Sequence, residues 1–367
     1  MTAVPVLVPP LPTRPSAEPR RLRPGPKALV RPTVIFAAAA AVTGLAFLAT
    51  ALSGTFGYVV CTYFVFVALF AWDTVRREGR TAGWDRVVTV AVATCGLCTI
   101  VPLAIIVLYV VTKGIGGLSG NFFKQSMASV GPLDPSSQGG AYHAIIGTVE
   151  QVGLAAMIAT PLGLLTAVYL SEAEGMARPG KKPRLSRTVR LLVDAMSGIP
   201  SIVAGLFIYT MFVIKLHQGY SGLAAALALS VLMLPTVART GEEVMRIVPG
   251  GLREASLALG APLWRTVLRV LMPAARSGLV TAVVLGVARI AGETAPLLMT
   301  ALGSDAVNKN PFHGVQSALP LFAFQRMRNA APSEISRGWA GALVLIALVL
   351  TLFTLARVLG SHKRKGA

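Results

Sequence analysis

Apolar residues in this chain fall in runs of about 17 to 25 rather than in the alternating ten-residue segments of a membrane β-barrel. Eight such runs lie near Thr33 to Leu52, Phe56 to Trp72, Val87 to Val111, His143 to Leu170, Pro200 to Leu216, Ser221 to Val237, Leu279 to Met299 and Trp339 to Leu359. In lipid every backbone polar group must be satisfied within its own segment, so each run predicts a helix and the fold class is all-α and polytopic. Pro161 and Pro296 lie inside the fourth and seventh runs and are expected to kink or interrupt them. Between runs four and five, Val189 to Met196 forms an amphipathic stretch suited to the membrane surface, before Ser197 caps and Pro200 opens the next span.

The first 32 residues carry nine of the 24 prolines and six basic residues, with almost no apolar periodicity, and read as a disordered tail. Their length and the full span behind them argue against a cleaved signal.

Composition sharpens the class. Only 13% of the 367 residues are charged and 54% are hydrophobic, whereas soluble domains carry about a quarter charged residues. The formal net charge of +19 would suit a nucleic-acid partner, but 26 of the 34 basic residues lie in the two tails and in alternate connections of an eight-span arrangement. They mark one side of the membrane, which excludes nucleic acid and predicts both termini in the cytoplasm. Cys61, Cys95 and Cys98 all fall in apolar runs and predict helix packing, and the four scattered histidines offer no metal site.

Three charges fall inside spans away from the last residues of a run. Arg289 lies ten residues beyond Leu279, about 15 Å along a helix and near the bilayer centre. Glu293 follows by four residues, so a continuous helix would set the two on one face as a pair. Glu150, in span four, either pairs with Arg289 or reaches the membrane surface. Charges at that depth cost about 2.5 to 3.5 kcal/mol or more and must face protein or water. The Arg289–Glu293 pair is therefore either a structural ion pair or a device in which Arg289 offsets a passing anion while Glu293 orients it and weakens its hold.

The most informative connection runs Glu254-Ala255-Ser256, three residues, Gly260, nine residues, Val270-Leu271-Met272-Pro273. Physically this is a short helix, a glycine stop and a second helix entering the membrane, a form that can dock into a soluble partner. It resembles the cytoplasmic coupling motif of ABC importer permeases, Glu-Ala-Ala, three residues, Gly, nine residues, Ile-x-Leu-Pro, with Ser256, Val270 and Met272 as mild departures. No Gly-x-x-x-x-Gly-Lys-Ser/Thr phosphate loop is present, so ATP handling is expected from another polypeptide.

Ala288-Arg289 followed by Gly292-Glu293-Thr294-Ala295-Pro296-Leu297-Leu298 resembles the signature of PstA-type permease subunits of bacterial phosphate importers. Gly198-Ile199-Pro200-Ser201, Pro161-Leu162-Gly163, Tyr169-Leu170-Ser171-Glu172 and Arg239-Thr240-Gly241-Glu242-Glu243 match as well, in the family's order over about residues 140 to 360. The resemblance implies a type I ABC importer core in the last five spans, residues 143–360, with a coupling loop at 240–276. It leaves 1–32 and 361–367 as cytoplasmic tails, 33–86 as two additional helices, and 87–142 as a preceding helix with an outer loop.

It further implies an inner-membrane permease subunit that is not itself catalytic and moves inorganic phosphate. The substrate path would take Arg289, Glu293, Thr294 and Glu150; ATPase coupling would take Glu254, Ala255, Gly260 and Pro273; and the gate would take Gly198, Pro200 and Ser201. Implied partners are a second homologous permease, a homodimeric ABC ATPase using ATP and Mg, and an extracytoplasmic phosphate-binding protein. The chain itself needs no cofactor. Sulfate or molybdate import, or a non-transporting membrane scaffold or phosphate sensor, are the alternatives.

Overall fold

A computed structural model describes residues 27–49, 54–175 and 184–361. The described residues form α1 (Lys27–Ala49), α2 (Thr55–Glu78), α3 (Arg80–Gly117), α4 (Tyr142–Gly175), α5 (Arg184–Ser197), α6 (Ser201–Ile208), α7 (Gly222–Ile247) and α8 (Gly250–Ala258). They continue as α9 (Leu263–Thr266), α10 (Met272–Ala291), α11 (Ala295–Thr300), α12 (Leu319–Met327) and α13 (Pro332–Ser361). Stretches of π-helix extend α6 over Tyr209–Lys215 and join α9 to α10 over Val267–Leu271. Among the described residues there is no strand, only an isolated bridge between Leu302 and Gln316. The all-α expectation is met.

Seven described helical segments are long and apolar enough to cross a membrane, and an eighth arises if the bent pair α5 and α6 counts as one span. The fifth expected span corresponds to Ser201–Lys215, a short segment turned 104° from the surface stretch α5 that precedes it. Span seven starts earlier than expected, at Leu263, and is interrupted after Ala291, ahead of Pro296, as that proline predicts. Pro161 does not interrupt α4. Residues 27–32, assigned to the tail, begin α1, while 1–26 and 362–367 lie outside the described residues.

The chain forms two compact units, Met1–Ala104 and Ile105–Ala367, whose boundary falls within α3. In the first, α1 and α2 pack through edge-on aromatic pairs, Phe36 with Phe66 at 5.7 Å and Phe47 with Tyr58 at 5.6 Å between centroids. At the basic end of the pair Arg31 holds Asp73 at 2.6 Å and Glu78 at 3.0 Å, and Arg77 holds Asp73 at 2.9 Å. The connection between α2 and α3 is a single residue, Gly79, at φ 97°. The three cysteines are exposed on α2 and α3, so helix packing within this chain does not explain them.

In the second unit α7 is the central helix, buried along most of its length between α4 and α10. Apolar lipid supplies no hydrophobic drive for helices to associate, so small residues that let backbones approach supply dispersion contact instead. Gly163 of α4 and Gly286 of α10 both close on the fully buried Val237 of α7: a Cβ on Gly163 would lie 2.8 Å from Val237 Cβ, and one on Gly286 2.9 Å from Cγ2. The expected effect of Gly163→Ala is overpacking by about 1 to 3 kcal/mol, read as a lowered unfolding midpoint in detergent. Gly286→Ala should cost a similar amount, and adding Val237→Ala, which removes the Cγ2 that it meets, should recover part of that loss; no recovery there would refute the contact.

Candidate functional site

The break after α10 follows from Pro296. Proline has no N–H to return to the carbonyl four residues earlier, and its ring clashes there, so the helix cannot run through it. Instead α10 ends at Ala291 with Gly292 as its cap, residues 292–294 are non-helical, and Pro296 sits in the first turn of α11, where its missing donor costs nothing. Gly205 of α6 packs against this break so closely that a Cβ would lie 2.6 Å from Pro296 Cα.

Arg289 thus occupies the last turn of α10, where the unsatisfied carbonyls favour a cation. Its side chain is exposed in the chain by itself, and its Nη1 donates to Thr236 Oγ1 of α7 at 3.2 Å. The helical pairing with Glu293 does not form. The helix stops before Glu293, and no ion pair to either residue occurs among the described residues. Glu293 and Thr294 lie half-buried in the break, and Thr294 precedes α11 without a side-chain capping bond.

Glu150 neither meets Arg289 nor stands free. Gln316 donates to its Oε2 at 2.5 Å, while Gln151 donates to Gln316 Oε1 at 3.0 Å and to the Ser317 carbonyl at 3.2 Å. Thr148 Oγ1 accepts from the Leu319 N–H at 2.7 Å. This network seats the segment before α12 against the start of α4. That region also carries ionic ties: Arg326 pairs with Asp305 and with Glu334 at 2.7 Å, and the fully buried Arg337 pairs with Glu334 at 2.5 Å. Arg337 Nη2 donates to the carbonyls of Asp134 at 3.0 Å and Pro135 at 2.7 Å, fastening the segment before α4 to α13. Burial works against the charge of Arg326, but the hydrogen bonds to Asp305 and Glu334 outweigh it and hold the guanidinium above its ordinary value.

The expected short helix, glycine stop and second helix are present. Glu254 and Ala255 lie exposed on α8, which ends where Gly260 takes φ 76° and donates its N–H to the Leu257 carbonyl at 2.9 Å. That left-handed backbone, rather than lack of room, calls for glycine, since nothing lies within 4 Å of the point where a Cβ would stand. Leu252, Leu257, Leu259 and Trp264 leave an apolar exposed surface beside it. Ser256, where the family motif has alanine, lies 2.9 Å from Thr266 Oγ1 and joins α8 to α9. Pro273 explains the π-helix before α10: it leaves the Arg269 carbonyl without its usual donor, and the wider turn relieves the crowding. Arg253 then ties α8 to the end of α4 through buried Glu172 at 2.6 Å.

Gly198, Pro200 and Ser201 form the corner between α5 and α6. Pro200 precedes α6 in extended geometry, and Ser197 bonds back to the Val193 carbonyl at 2.9 Å instead of capping the next helix. Ion pairs hold α5 to α7: Arg190 with Glu242 at 2.6 Å and Asp194 with Arg239 at 2.5 Å, around a cavity of about 180 Å³.

Sequence reasoning missed Thr236 as the partner of Arg289, since 53 residues separate them. It also passed over Glu172 and Glu242 as ion-pair centres, although both stand in motifs singled out along the chain.

A set of apolar helices with an exposed arginine held near a helix break defines a multi-pass membrane protein with a polar point on one of its spans. The model of the binding-protein-dependent transport system inner membrane component family matches residues 159–365, and the chain belongs to that family. It is a multi-pass inner-membrane protein.

Phosphate transport system permease protein PstA 1 of Mycobacterium tuberculosis is 39% identical to it over 76% of this chain and 88% of its own. PstA of Mycobacterium leprae is 38% identical over 80% and 93%, and PstA of Haemophilus influenzae 37% over 69% and 86%. A solved structure titled as an inward-facing MetNI methionine ABC transporter aligns over 60% of this chain and 95% of its own, at 22% identity and TM-score 0.47.

Removing the cation from the Arg253–Glu172 pair should leave a nearly buried carboxylate without a partner. Arg253→Ala is expected to cost about 1 to 3 kcal/mol locally, seen as faster proteolysis of the α8 region with the rest of the chain unchanged. Glu172→Gln in the same background should restore resistance, and equal proteolysis in all three proteins would refute the tie.

Proposed function

We propose that this chain is the membrane-spanning permease subunit of an ATP-driven importer that moves inorganic phosphate into the cytoplasm. The observation that carries this reading is Arg289: a permanent cation in a membrane helix, held by a single neutral hydroxyl and otherwise uncovered in the chain alone. Such a group must meet protein or water at that depth, and its planar fork of donors matches the oxygens of a tetrahedral oxyanion. The names of the relatives add phosphate as the particular anion.

In this account Thr236, rather than Glu293, orients the guanidinium. A neutral oxygen holds the fork without neutralising it, which leaves the charge available to the anion. Glu293 and Thr294, in the non-helical break, add polar groups along the same path and limit how tightly an anion is retained. Glu150 takes its place on the outer side of the path, positioned by Gln316. A second homologous permease completes the path on the open side of Arg289, and an extracytoplasmic phosphate-binding protein delivers the substrate.

Energy enters through α8. A homodimeric ABC ATPase, using its own ATP and Mg, receives Glu254, Ala255 and the apolar residues around them; Gly260 and Pro273 set where the lever stops and where the following helix starts. Its motion passes to α4 through Arg253 and Glu172, and the corner at Gly198, Pro200 and Ser201 forms the gate. The last five spans act as a type I importer core with both termini cytoplasmic.

Two experiments test this reading. Arg289→Gln, assembled with its partners in vesicles, should lower labelled-phosphate uptake by about tenfold or more, with Arg289→Lys recovering only part because it lacks the fork. Uptake at the normal rate by an assembled Arg289→Gln protein would refute the path. Gly260→Pro, which cannot take φ 76° and has no N–H to donate, should abolish capture of the ATPase in a pull-down; undiminished capture would refute the lever.

A further inference from the structure

The hairpin of α2 and α3 carries a groove that the transport reading leaves unused. The two helices touch at their connection, where a Cβ on Gly83 would lie 2.1 Å from Val75 Cγ2, and again farther along, where Tyr63 Oη donates to Thr94 Oγ1 at 3.0 Å. Between these contacts a cleft of about 370 Å³ opens, lined by Ala71, Trp72 and Val75 of α2 and by Arg80, Trp84 and Val87 of α3. Residues 80, 84 and 87 stand on one face of α3, as 72 and 76 do on α2. The wall is apolar, two exposed indoles flank it, and arginine stands at the basic end of the hairpin.

Charge selects the occupant. Asp73 and Glu78 at this end are taken up by Arg31 and Arg77. Arg76 lies over the Trp72 ring at 3.7 Å, a contact that leaves the edge of its guanidinium free to donate, and neither Arg76 nor Arg80 has an acidic partner among the described residues. A ligand that fits must be an anion joined to an apolar chain and must lie at the depth where tryptophan marks the membrane surface. We propose that this groove binds an anionic glycerophospholipid, its phosphate between Arg76 and Arg80 and an acyl chain along Val75 and Val87. In the orientation given by the basic connections this is a lipid of the cytoplasmic leaflet, where basic pockets between helices bind anionic headgroups.

The test uses the full-length chain in nanodiscs, with Trp264→Phe and Trp339→Phe leaving Trp72 and Trp84 as its only tryptophans. Brominated phosphatidylglycerol, titrated into a phosphatidylcholine background, should quench their fluorescence at a far lower mole fraction than brominated phosphatidylcholine does. Arg76→Gln and Arg80→Gln should each weaken the phosphatidylglycerol response about fivefold, and together by the product. Circular dichroism and unfolding midpoints verify that the variants fold; should one not, Arg80→Lys, which keeps the charge, must retain the response. Equal quenching by the two lipids, or an unchanged response in the folded double variant, would overturn the proposal, as would displacement of the brominated lipid by millimolar inorganic phosphate.

Discussion

The close approach of α4, α7 and α10 around Val237 is the contact on which the rest of the second unit depends. Lipid tails are as apolar as the helices themselves, so only tight packing and polar bonds hold such helices together. Gly163 and Gly286 allow that packing from two sides of one valine. The residue before it, Thr236, lies within hydrogen-bonding distance of Arg289 on the neighbouring α10. A bulkier side chain at either glycine would part the helices and separate the hydroxyl from the guanidinium.

From this centre, charge carries mechanical continuity outward. Buried Glu172 at the end of α4 holds Arg253 of α8, and buried Glu242 of α7 holds Arg190 of α5 and Arg246 one turn on. These carboxylates are nearly inaccessible, so their separation from arginine is costly and the helices they join move together. At the opposite end of α4 the same role falls to neutral amides, Gln151 and Gln316, and to Arg337 with its carbonyl acceptors. The helix most closely packed on α7 is thus anchored at both ends.

Much of this was legible in the sequence, and the failures have physical causes. Apolar runs announced the spans because lipid demands them, and the stop at Pro296 followed from a missing donor. The Arg289–Glu293 pairing failed for that same reason: four-residue spacing puts side chains on one face only while the helix lasts, and here it ends at Ala291. The partner of Glu150 lies 166 residues away, beyond any local rule. Arg337 and Glu334, three residues apart at the start of α13, did carry a local signal, but the eighth apolar run starts only at Trp339 and left both outside the expected helix. The backbone of the α8 segment was readable because its helix, its positive-φ glycine and its proline each impose a requirement, whereas the tie of Arg253 to Glu172 was not.

The hydroxyl of Thr236 holds Arg289 without neutralising it. The most direct measurement compares labelled-phosphate uptake with ATP hydrolysis in vesicles carrying the assembled Thr236→Val transporter. Valine keeps the shape and removes the acceptor, so the account predicts slower uptake at an unchanged basal rate of ATP hydrolysis, with phosphate import per ATP reduced. Uptake and coupling equal to those of the unaltered protein would contradict it.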